Sequence, residues 1–271
     1  MSRPEIIEWN AHMFAADTER YPFHPDATYV PDPDRREADP TAAYRDRMDR
    51  HGIDRAVLVQ PEPYGDDHSL VLDCVERDPD RFRATTLFLP RDPDAPAKLR
   101  ELAAEHGDHV VATRFHAHRG KESYFDSFTD PGVRALWETA AELGLVVELH
   151  IGPDYAADAS RLIREHPETP VVIDHVAEPH LGDAVEYADV LALAGYDNVY
   201  MKLSGLNHFA EDAPTYESAV PFTRWVAEAF TPERMLWGSG TPEIVDVHLA
   251  DYDAERRAAV KGGTAAALCF V

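Results

Sequence analysis

This chain of 271 residues has little cysteine and no apolar run long enough to span a membrane. The two cysteines, Cys74 and Cys269, lie far apart and form no CxxC or Cys/His spacing. This argues against a zinc ribbon or a disulfide framework and predicts two reduced packing residues. No stretch of about 18 uncharged apolar residues occurs, and no basic-then-apolar leader opens the sequence. We therefore expect a soluble, cytoplasmic protein with no membrane partner.

Basic residues, and lysine above all, are also scarce. Fifty acidic residues face 26 basic ones, for a formal net charge of −24, and only four of the basic residues are lysines. A field of this sign repels nucleic acid phosphates, so no nucleic acid partner is expected. The acidic residues fall in short bursts typical of a solvated surface. Because salt screens such self-repulsion, the composition predicts a halophilic source.

Eight short apolar segments, rich in β-branched residues, read as strands that are covered on both faces, as in parallel sheets. They are residues 5–12, 55–60, 83–89, 110–115, 145–151, 170–175, 198–204 and 234–239.

Seven amphipathic segments between these strands read as helices, most of them opening on Asp, Thr or Pro. They are residues 41–52, 66–79, 94–107, 130–144, 155–167, 183–196 and 214–230. Alternating units without a composition break predict one (β/α)₈ TIM barrel domain over residues 1–271. A doubly wound open sheet is the competing fold, but no GxGxxG follows the first strand. The aromatic loop 13–29 is expected to cover the barrel mouth or to contact a second subunit, so a homo-oligomer stays open.

Histidines fall at the carboxyl ends of three predicted strands, which is where the chemistry of such barrels sits. They are His12, His150 and His175. One such histidine alone would usually be a satisfied core or surface residue. Three at equivalent positions favour a site that binds a divalent ion or polarises a carbonyl. Because neighbouring strand residues point oppositely, Asp174 is not expected to orient His175.

Motifs along nearly the whole chain resemble amidohydrolase-2 barrels, in particular the 2-pyrone-4,6-dicarboxylate lactonase-like branch. They are 8-EWNAHMF-14, 21-YPFHPDATYVP-31, 130-DPGVRALWETAAELGLVVELH-150, 171-VVIDH-175, 198-NVYMKLSG-205 and 234-RMLWGSGTPE-243. The resemblance implies hydrolysis of lactones or related C–O and C–N bonds, with decarboxylases and hydratases among the relatives.

Two motifs depart from the pattern of this family. Its strand-one His-x-His is Asn10-x-His12 here, and its strand-eight Gly-Ser-Asp-Trp-Pro-His begins Gly238-Ser239-Gly240. Gly240 therefore occupies the position of the aspartate that, in the family, activates water or helps to hold a metal. His12, His150 and Asn10 remain as ligands for one divalent ion such as zinc, a poor set beside three strong protein ligands. Since the branch includes members that work without metal, a metal-free site is the alternative.

The other candidate site residues are inferred from their positions at or near the ends of predicted strands. Arg114 is the best holder of a carboxylate, with a structural salt bridge as the equal alternative. Lys202, Ser204 and Ser239 are candidate substrate-binding residues at the ends of strands seven and eight. The replacement base is His175 or Glu243, although Glu243 also suits the first turn of a helix.

The leading hypothesis is a hydrolase that acts on a small anionic lactone or related carbonyl substrate by attack of water. Arg114 would hold a carboxylate, while His12, His150 and His175 would polarise the carbonyl and move protons. A catalytically degenerate barrel that binds a ligand or partner is the first alternative. A decarboxylase-type lyase is the second.

Overall fold

Eight parallel strands form a barrel in the computed structural model, which describes residues 3–117 and 124–270. Each strand pairs with the next in chain order, so the predicted (β/α)₈ barrel is confirmed. The strands are β1 (Ile7–Ala11), β2 (Arg55–Val59), β3 (Phe82–Leu87), β4 (Val110–Ala117), β5 (Val146–Ile151), β6 (Val171–Ile173), β7 (Val199–Leu203) and β8 (Met235–Trp237).

Helices follow the strands and form the outer layer. They are α1 (Pro40–His51), α2 (Ser69–Arg77), α3 (Ala95–His106), α4 (Pro131–Glu142), α5 (Ala156–Glu165), α6 (Ala184–Ala192), α7 (Val220–Phe230), α8 (Glu243–His248), α9 (Ala254–Ala258) and α10 (Thr264–Cys269). Helix α7 begins six residues later than residue 214, where the sequence places its start. The reason is Pro221, which lacks a donor and suits only the first turn of a helix.

The barrel closes where β8 returns beside β1. A Cβ added at Gly238 would lie 2.2 Å from the carbonyl oxygen of Trp9, so only glycine permits this approach. Apolar residues of alternate strand positions fill the lower barrel, and Ala265 and Cys269 of α10 join them from below. A second, larger core lies between strands and helices. Cys74 and Cys269 are both buried and free, as predicted.

Strand β1 carries one extra residue near its end. Trp9 pairs with Val57 and Ala11 pairs with Leu58, so Asn10 has no partner residue and forms a bulge. The bulge lets both Asn10 and His12 reach the mouth of the barrel. None of the helices in the described part of the chain is both long and apolar enough to cross a membrane.

Candidate active site

A cavity of about 790 Å³ opens at the carboxyl ends of the strands. His12, His150 and His175 all line it, so the structure brings the three predicted histidines together. Asn10, Arg114 and Ser239 line it as well, and Met13, Phe14 and Tyr29 of the long first loop form part of its wall. That loop therefore covers part of the barrel mouth, one of the two roles expected of it.

His12 is held in one tautomer by the backbone. Its Nδ1 lies 2.9 Å from the carbonyl oxygen of Val59, which can only accept, so Nδ1 carries the hydrogen and Nε2 is bare. Burial, together with the charge of Arg114, lowers the pKa of His12 to about 4. The ring is therefore neutral at pH 7 and offers a lone pair.

His175 is held by Ser204. The Ser204 Oγ lies 2.8 Å from Nδ1 of His175 and also accepts the backbone N–H of the same residue at 3.3 Å. Burial lowers the pKa of His175 well below its usual value, so this ring is neutral too. Gly205 makes room for it, because a Cβ at that position would lie 2.6 Å from the Cβ of His175. Ser204 thus acts through His175 and does not itself line the cavity.

A left-handed turn directly after β6 sets the direction of several site residues. His175, Val176, Ala177 and Glu178 have φ angles of 52°, 46°, 58° and 47°. Such a conformation costs L-residues roughly 1–2 kcal/mol each, so the surroundings must hold it. The Tyr187 hydroxyl does so in part by donating to the Val176 carbonyl at 2.8 Å.

The turn also corrects the expectation that Asp174 and His175 point to opposite faces. The strand ends at Ile173, so the alternation of strand residues no longer applies. Ligand atoms of Asp174, His175 and His150 lie within 4.8 Å of one another. All three side chains therefore meet at the same end of the barrel.

A buried network of four charges lies beneath the cavity. Asp174 accepts a hydrogen bond from Arg114 Nη2 at 2.6 Å on Oδ2, and its Oδ1 forms an ion pair with Lys202 Nζ at 2.5 Å. Lys202 also donates to Glu148 at 3.1 Å, and Glu148 accepts the indole N–H of Trp9 at 2.7 Å. The two positive and two negative charges balance, which is the condition for burying them.

This network fixes the pKa values of its acids in opposite directions. Burial and the nearby Asp174 charge raise the pKa of Glu148. Burial alone would also raise the pKa of Asp174, but Lys202 and Arg114 outweigh it and hold that pKa far below its usual value. Asp174 is thus a permanent anion that anchors Arg114.

Arg114 combines both roles considered from the sequence. Its Nε and Nη2 bind Asp174, whereas its Nη1 makes no hydrogen bond to the residues described and the side chain lines the cavity. Lys202 is fully buried, lies below the cavity and is not part of its lining. The position of Lys202 therefore fits a support for Asp174 rather than a direct contact to substrate.

Strand eight places its residues differently from the sequence hypothesis. Ser239 lines the cavity and accepts the backbone N–H of Gly205 at 3.2 Å. Glu243 is exposed in the first turn of α8 and outside the cavity lining, where the Thr241 hydroxyl lowers its pKa. This position corrects its assignment as a catalytic base, since the helix start explains the acid.

Three further residues belong to the site although the sequence hypothesis omitted them. His116, at the end of β4, stacks on His150 with 4.4 Å between ring centroids. Glu178 binds Nε2 of His150 at 2.8 Å, and His208 lines the cavity beside it. His116 follows the same strand-end rule that found the others, whereas Glu178 and His208 lie in loops after β6 and β7 and carried no signal.

The donor set does not fit a tightly bound divalent ion. His150, Asp174 and His175 form a candidate His/Asp site by distance. However, both oxygens of Asp174 form ion pairs, Oδ2 with Arg114 and Oδ1 with Lys202, and these two positive charges would repel a dication. His12 and Asn10, the other ligands predicted, lie outside this group, and strand eight contributes Gly240 instead of a carboxylate.

The chain belongs to the amidohydrolase family, whose sequence profile matches residues 7–268. The 4-sulfomuconolactone hydrolase of Rhizobium radiobacter is 29% identical over 92% of this chain and 78% of its own length. A crystal structure from Pseudomonas putida, a candidate 2-pyrone-4,6-dicarboxylic acid hydrolase, superimposes with a TM-score of 0.77 at 26% identity, over 99% of this chain and 98% of that one.

A structure with bound zinc lies among the similar folds. It is an amidohydrolase from Burkholderia multivorans, with a TM-score of 0.72 and 19% identity, and the match covers 98% of this chain and 99% of that one. At this identity the likeness shows the fold alone. The ligands of its zinc are not inferred for this chain.

Proposed function

We propose that this protein hydrolyses a small anionic lactone by direct attack of water on the ring carbonyl. The observation that carries the proposal is the pairing of two neutral imidazoles, His12 and His175, with the Arg114 guanidinium in one cavity. The lactone hydrolase among the sequence relatives supports it. Small lactones fit easily in about 790 Å³.

The arginines in the lining of the cavity support an anionic substrate, although Glu8, Glu37 and Glu62 line it as well. Four arginines, Arg35, Arg47, Arg50 and Arg114, line it in a chain whose net charge is −24. Arg47 is engaged by Glu8, but Arg114 keeps Nη1 without a bond to described residues. A substrate carboxylate placed there would receive a charge-assisted hydrogen bond, which is the stronger kind.

The tautomers of His12 and His175 give the two rings different roles, one as proton acceptor and one as hydrogen-bond donor. His12 has a bare Nε2 and takes a proton from the attacking water. Ser204 already accepts a backbone N–H, so its hydroxyl hydrogen is free to bind Nδ1 of His175. His175 then carries its hydrogen on Nε2 and donates it to the carbonyl oxygen, where negative charge develops. A neutral histidine acting as such a donor has precedent in enzyme chemistry.

The missing strand-eight carboxylate is compatible with this scheme. A base whose conjugate acid has a pKa of about 4 resembles a carboxylate in strength. His12 therefore offers about the basicity that the family aspartate would supply, from a neighbouring strand. His150 stacks on His116 and forms a hydrogen bond with Glu178 through Nε2, and it completes the wall of the site.

Ring opening of a lactone panel tests the proposal, with acid release followed by a pH indicator. The panel contains an aliphatic δ-lactone, a sugar δ-lactone and a pyrone dicarboxylate. We expect His12→Gln and His175→Ala to lower turnover of the active substrate by about 10²–10⁴-fold. His150→Ala should lower it as well, because it removes the contacts with His116 and Glu178. His109→Gln, a half-buried histidine at the opposite end of β4, should leave it unchanged.

Three outcomes separate the candidate functions. Unchanged turnover in both His150→Ala and His175→Ala overturns the mechanism. Binding of a carboxylate ligand without ring opening favours a non-catalytic barrel, and release of carbon dioxide favours a lyase.

We further propose a cytoplasmic, salt-adapted protein whose partner is a small anion rather than nucleic acid or membrane. The net charge of −24 supports salt adaptation. Equal stability at low and molar salt would contradict it.

A further inference from the structure

His208 and Glu178 form a histidine–carboxylate pair that the mechanism above does not use. The Glu178 carboxylate is 1% exposed, and its Oε2 and Oε1 lie 2.8 and 3.0 Å from Nδ1 of His208. A carboxylate can only accept, so Nδ1 of His208 carries its hydrogen. The other ring nitrogen, Nε2, makes no hydrogen bond to the described residues, and the ring lines the cavity.

The pair is held in place from several directions. Glu178 ends the left-handed turn, with a φ of 47°, and also accepts Nε2 of His150 at 2.8 Å. The rings that face His208 are His175, at 5.1 Å between centroids, and His180, at 6.1 Å. His208 is thus next to the proposed carbonyl donor, while its own side chain stays 35% exposed to solvent.

Hydrolysis of a lactone needs an acid as well as a base. Collapse of the tetrahedral intermediate breaks the bond from the acyl carbon to the ring oxygen, and an aliphatic alkoxide leaves poorly unless it is protonated. His12 holds the proton of the attacking water, and His175 binds the carbonyl oxygen. Neither is assigned to the leaving oxygen.

We propose that His208 is the general acid of the reaction and that Glu178 is its positioning residue; this inference rests on the proposed lactone hydrolysis. When the ring is doubly protonated, it gives its Nε2 proton to the ring oxygen as the C–O bond breaks, and Glu178 holds the ring through Nδ1. His208 regains a proton from solvent, to which it is open. His12 and the new carboxylic acid each release one, so each turnover yields a hydroxycarboxylate and one net proton.

The arrangement follows the logic of a catalytic triad. A carboxylate on Nδ1 fixes the tautomer and stabilises the imidazolium, and Nε2 performs the proton transfer. In this chain the carboxylate comes from the turn after β6 and the histidine from the loop after β7.

Two lactones with different leaving groups test the acid role. Dihydrocoumarin releases a phenol, which leaves readily without a proton, whereas δ-valerolactone releases an aliphatic alcohol. We expect His208→Gln to lower kcat on δ-valerolactone by about 10²-fold or more and on dihydrocoumarin by less than about tenfold. Glu178→Gln should show the same selectivity in weaker form. Equal losses on both lactones, or no loss, overturn the proposal.

His180→Gln is the matched control. His180 also faces Glu178, with Nδ1 at 3.5 Å from Oε2, but it does not line the cavity. We expect no leaving-group selectivity from this variant. If His180→Gln shows the same selectivity as His208→Gln, any loss of a histidine beside Glu178 produces the effect, and the role of His208 as the general acid is overturned.

A measurement without substrate keeps the two proposals separable. In protein labelled with ¹⁵N-histidine, we expect a hydrogen-bonded Nδ1–H on His208, assigned by its loss in His208→Gln. A bare Nδ1 overturns the pair even if lactones are hydrolysed. If wild-type protein opens neither of these lactones nor any lactone of the panel above, the proposed function and the acid role fail together, while the spectrum still reports on the pair.

Discussion

His12 donates from Nδ1 to the carbonyl of Val59 at 2.9 Å, across the β1–β2 edge of the barrel mouth. This single bond decides which nitrogen of the ring is basic. The carbonyl belongs to the neighbouring strand and cannot be changed by a side-chain substitution. The basic nitrogen is therefore fixed by the barrel itself.

The pH dependence of turnover follows from this ring. Burial and the Arg114 charge lower the pKa of His12 to about 4, so the ring stays unprotonated down to about pH 5. We expect kcat/KM not to fall between pH 7 and 5 and to fall about tenfold per unit below pH 4. A fall that begins near pH 6.5 would show an ordinary histidine and contradict the assignment.

Stability should fall over a higher pH range than turnover. Burial lowers the pKa of His12 and of His68 to about 4, and the ring of His68 accepts the backbone N–H of Leu87 at 3.0 Å. Between pH 6.5 and 4 the unfolded chain binds more protons than the folded one, so stability is full above this window and is lost as pH falls through it. The free energy of unfolding should drop by about 3 kcal/mol per histidine.

Urea unfolding at several pH values measures this drop. His68→Gln keeps an acceptor for Leu87 and does not titrate. Its unfolding free energy should therefore depend less on pH, although the variant is less stable at pH 7. An equal slope in wild type and variant would contradict the contribution of His68.

The network around Lys202 predicts a large loss when one charge is removed. Lys202→Met leaves Glu148 and Asp174 with Arg114 alone, and breaking a buried pair costs about 3–5 kcal/mol. Adding Glu148→Gln restores the charge balance, so the double variant should regain part of this loss. Urea unfolding measures both variants.

Lys98 supplies the matched control. It also bridges two carboxylates, Asp66 and Asp92, each at 2.8 Å, but its side chain is 45% exposed. Lys98→Met should cost less than about 1 kcal/mol. Similar losses at Lys98 and Lys202 would mean that burial does not determine the cost.

Sequence patterns were sufficient for the barrel because its signals repeat. Each strand is an apolar run and each helix has an apolar face, so all eight strands were found with small errors at their ends. The end-of-strand rule also located His12, His150 and His175, since the barrel brings all carboxyl ends to one mouth.

The same rule failed where the backbone leaves regular geometry. The left-handed turn His175–Glu178 contains no glycine or asparagine, so the residues give no local signal for it. It turns His175 and Glu178 toward the site, and only the surrounding packing explains why it is tolerated. The position of Lys202 at the end of strand seven marks it as a candidate, but nothing in the sequence distinguishes its partner Glu148 from the other acids of this acidic chain.

Metal content gives a direct check of the donor set. Because Asp174 is bonded to two cations, we expect well under one zinc or manganese per chain after purification without chelator or affinity nickel. Turnover should not change after dialysis against a chelator. One firmly bound ion per chain, removed together with activity, would contradict the reading of Asp174 as an anchor for Arg114.

Gly240 takes the place of the aspartate in the strand-eight motif that this chain resembles. Its φ is +76°, and a Cβ there would lie 2.5 Å from Cδ1 of Ile244. Gly240→Ala should therefore destabilise the fold by roughly 1–2 kcal/mol from backbone strain, plus the cost of moving Ile244.

Gly144 separates these two contributions. Its φ is +69°, but nothing lies within 4 Å of an added Cβ, so Gly144→Ala carries the strain alone. The difference between the two alanine variants in urea unfolding reports the contact with Ile244. Ile244→Val removes Cδ1 and should cancel that difference in the Gly240→Ala background. If the difference persists, Ile244 is not the obstacle. The loss of stability in Gly240→Ala then comes from the hydrogen bond that Arg47 Nη2 donates to the Gly240 carbonyl at 2.6 Å.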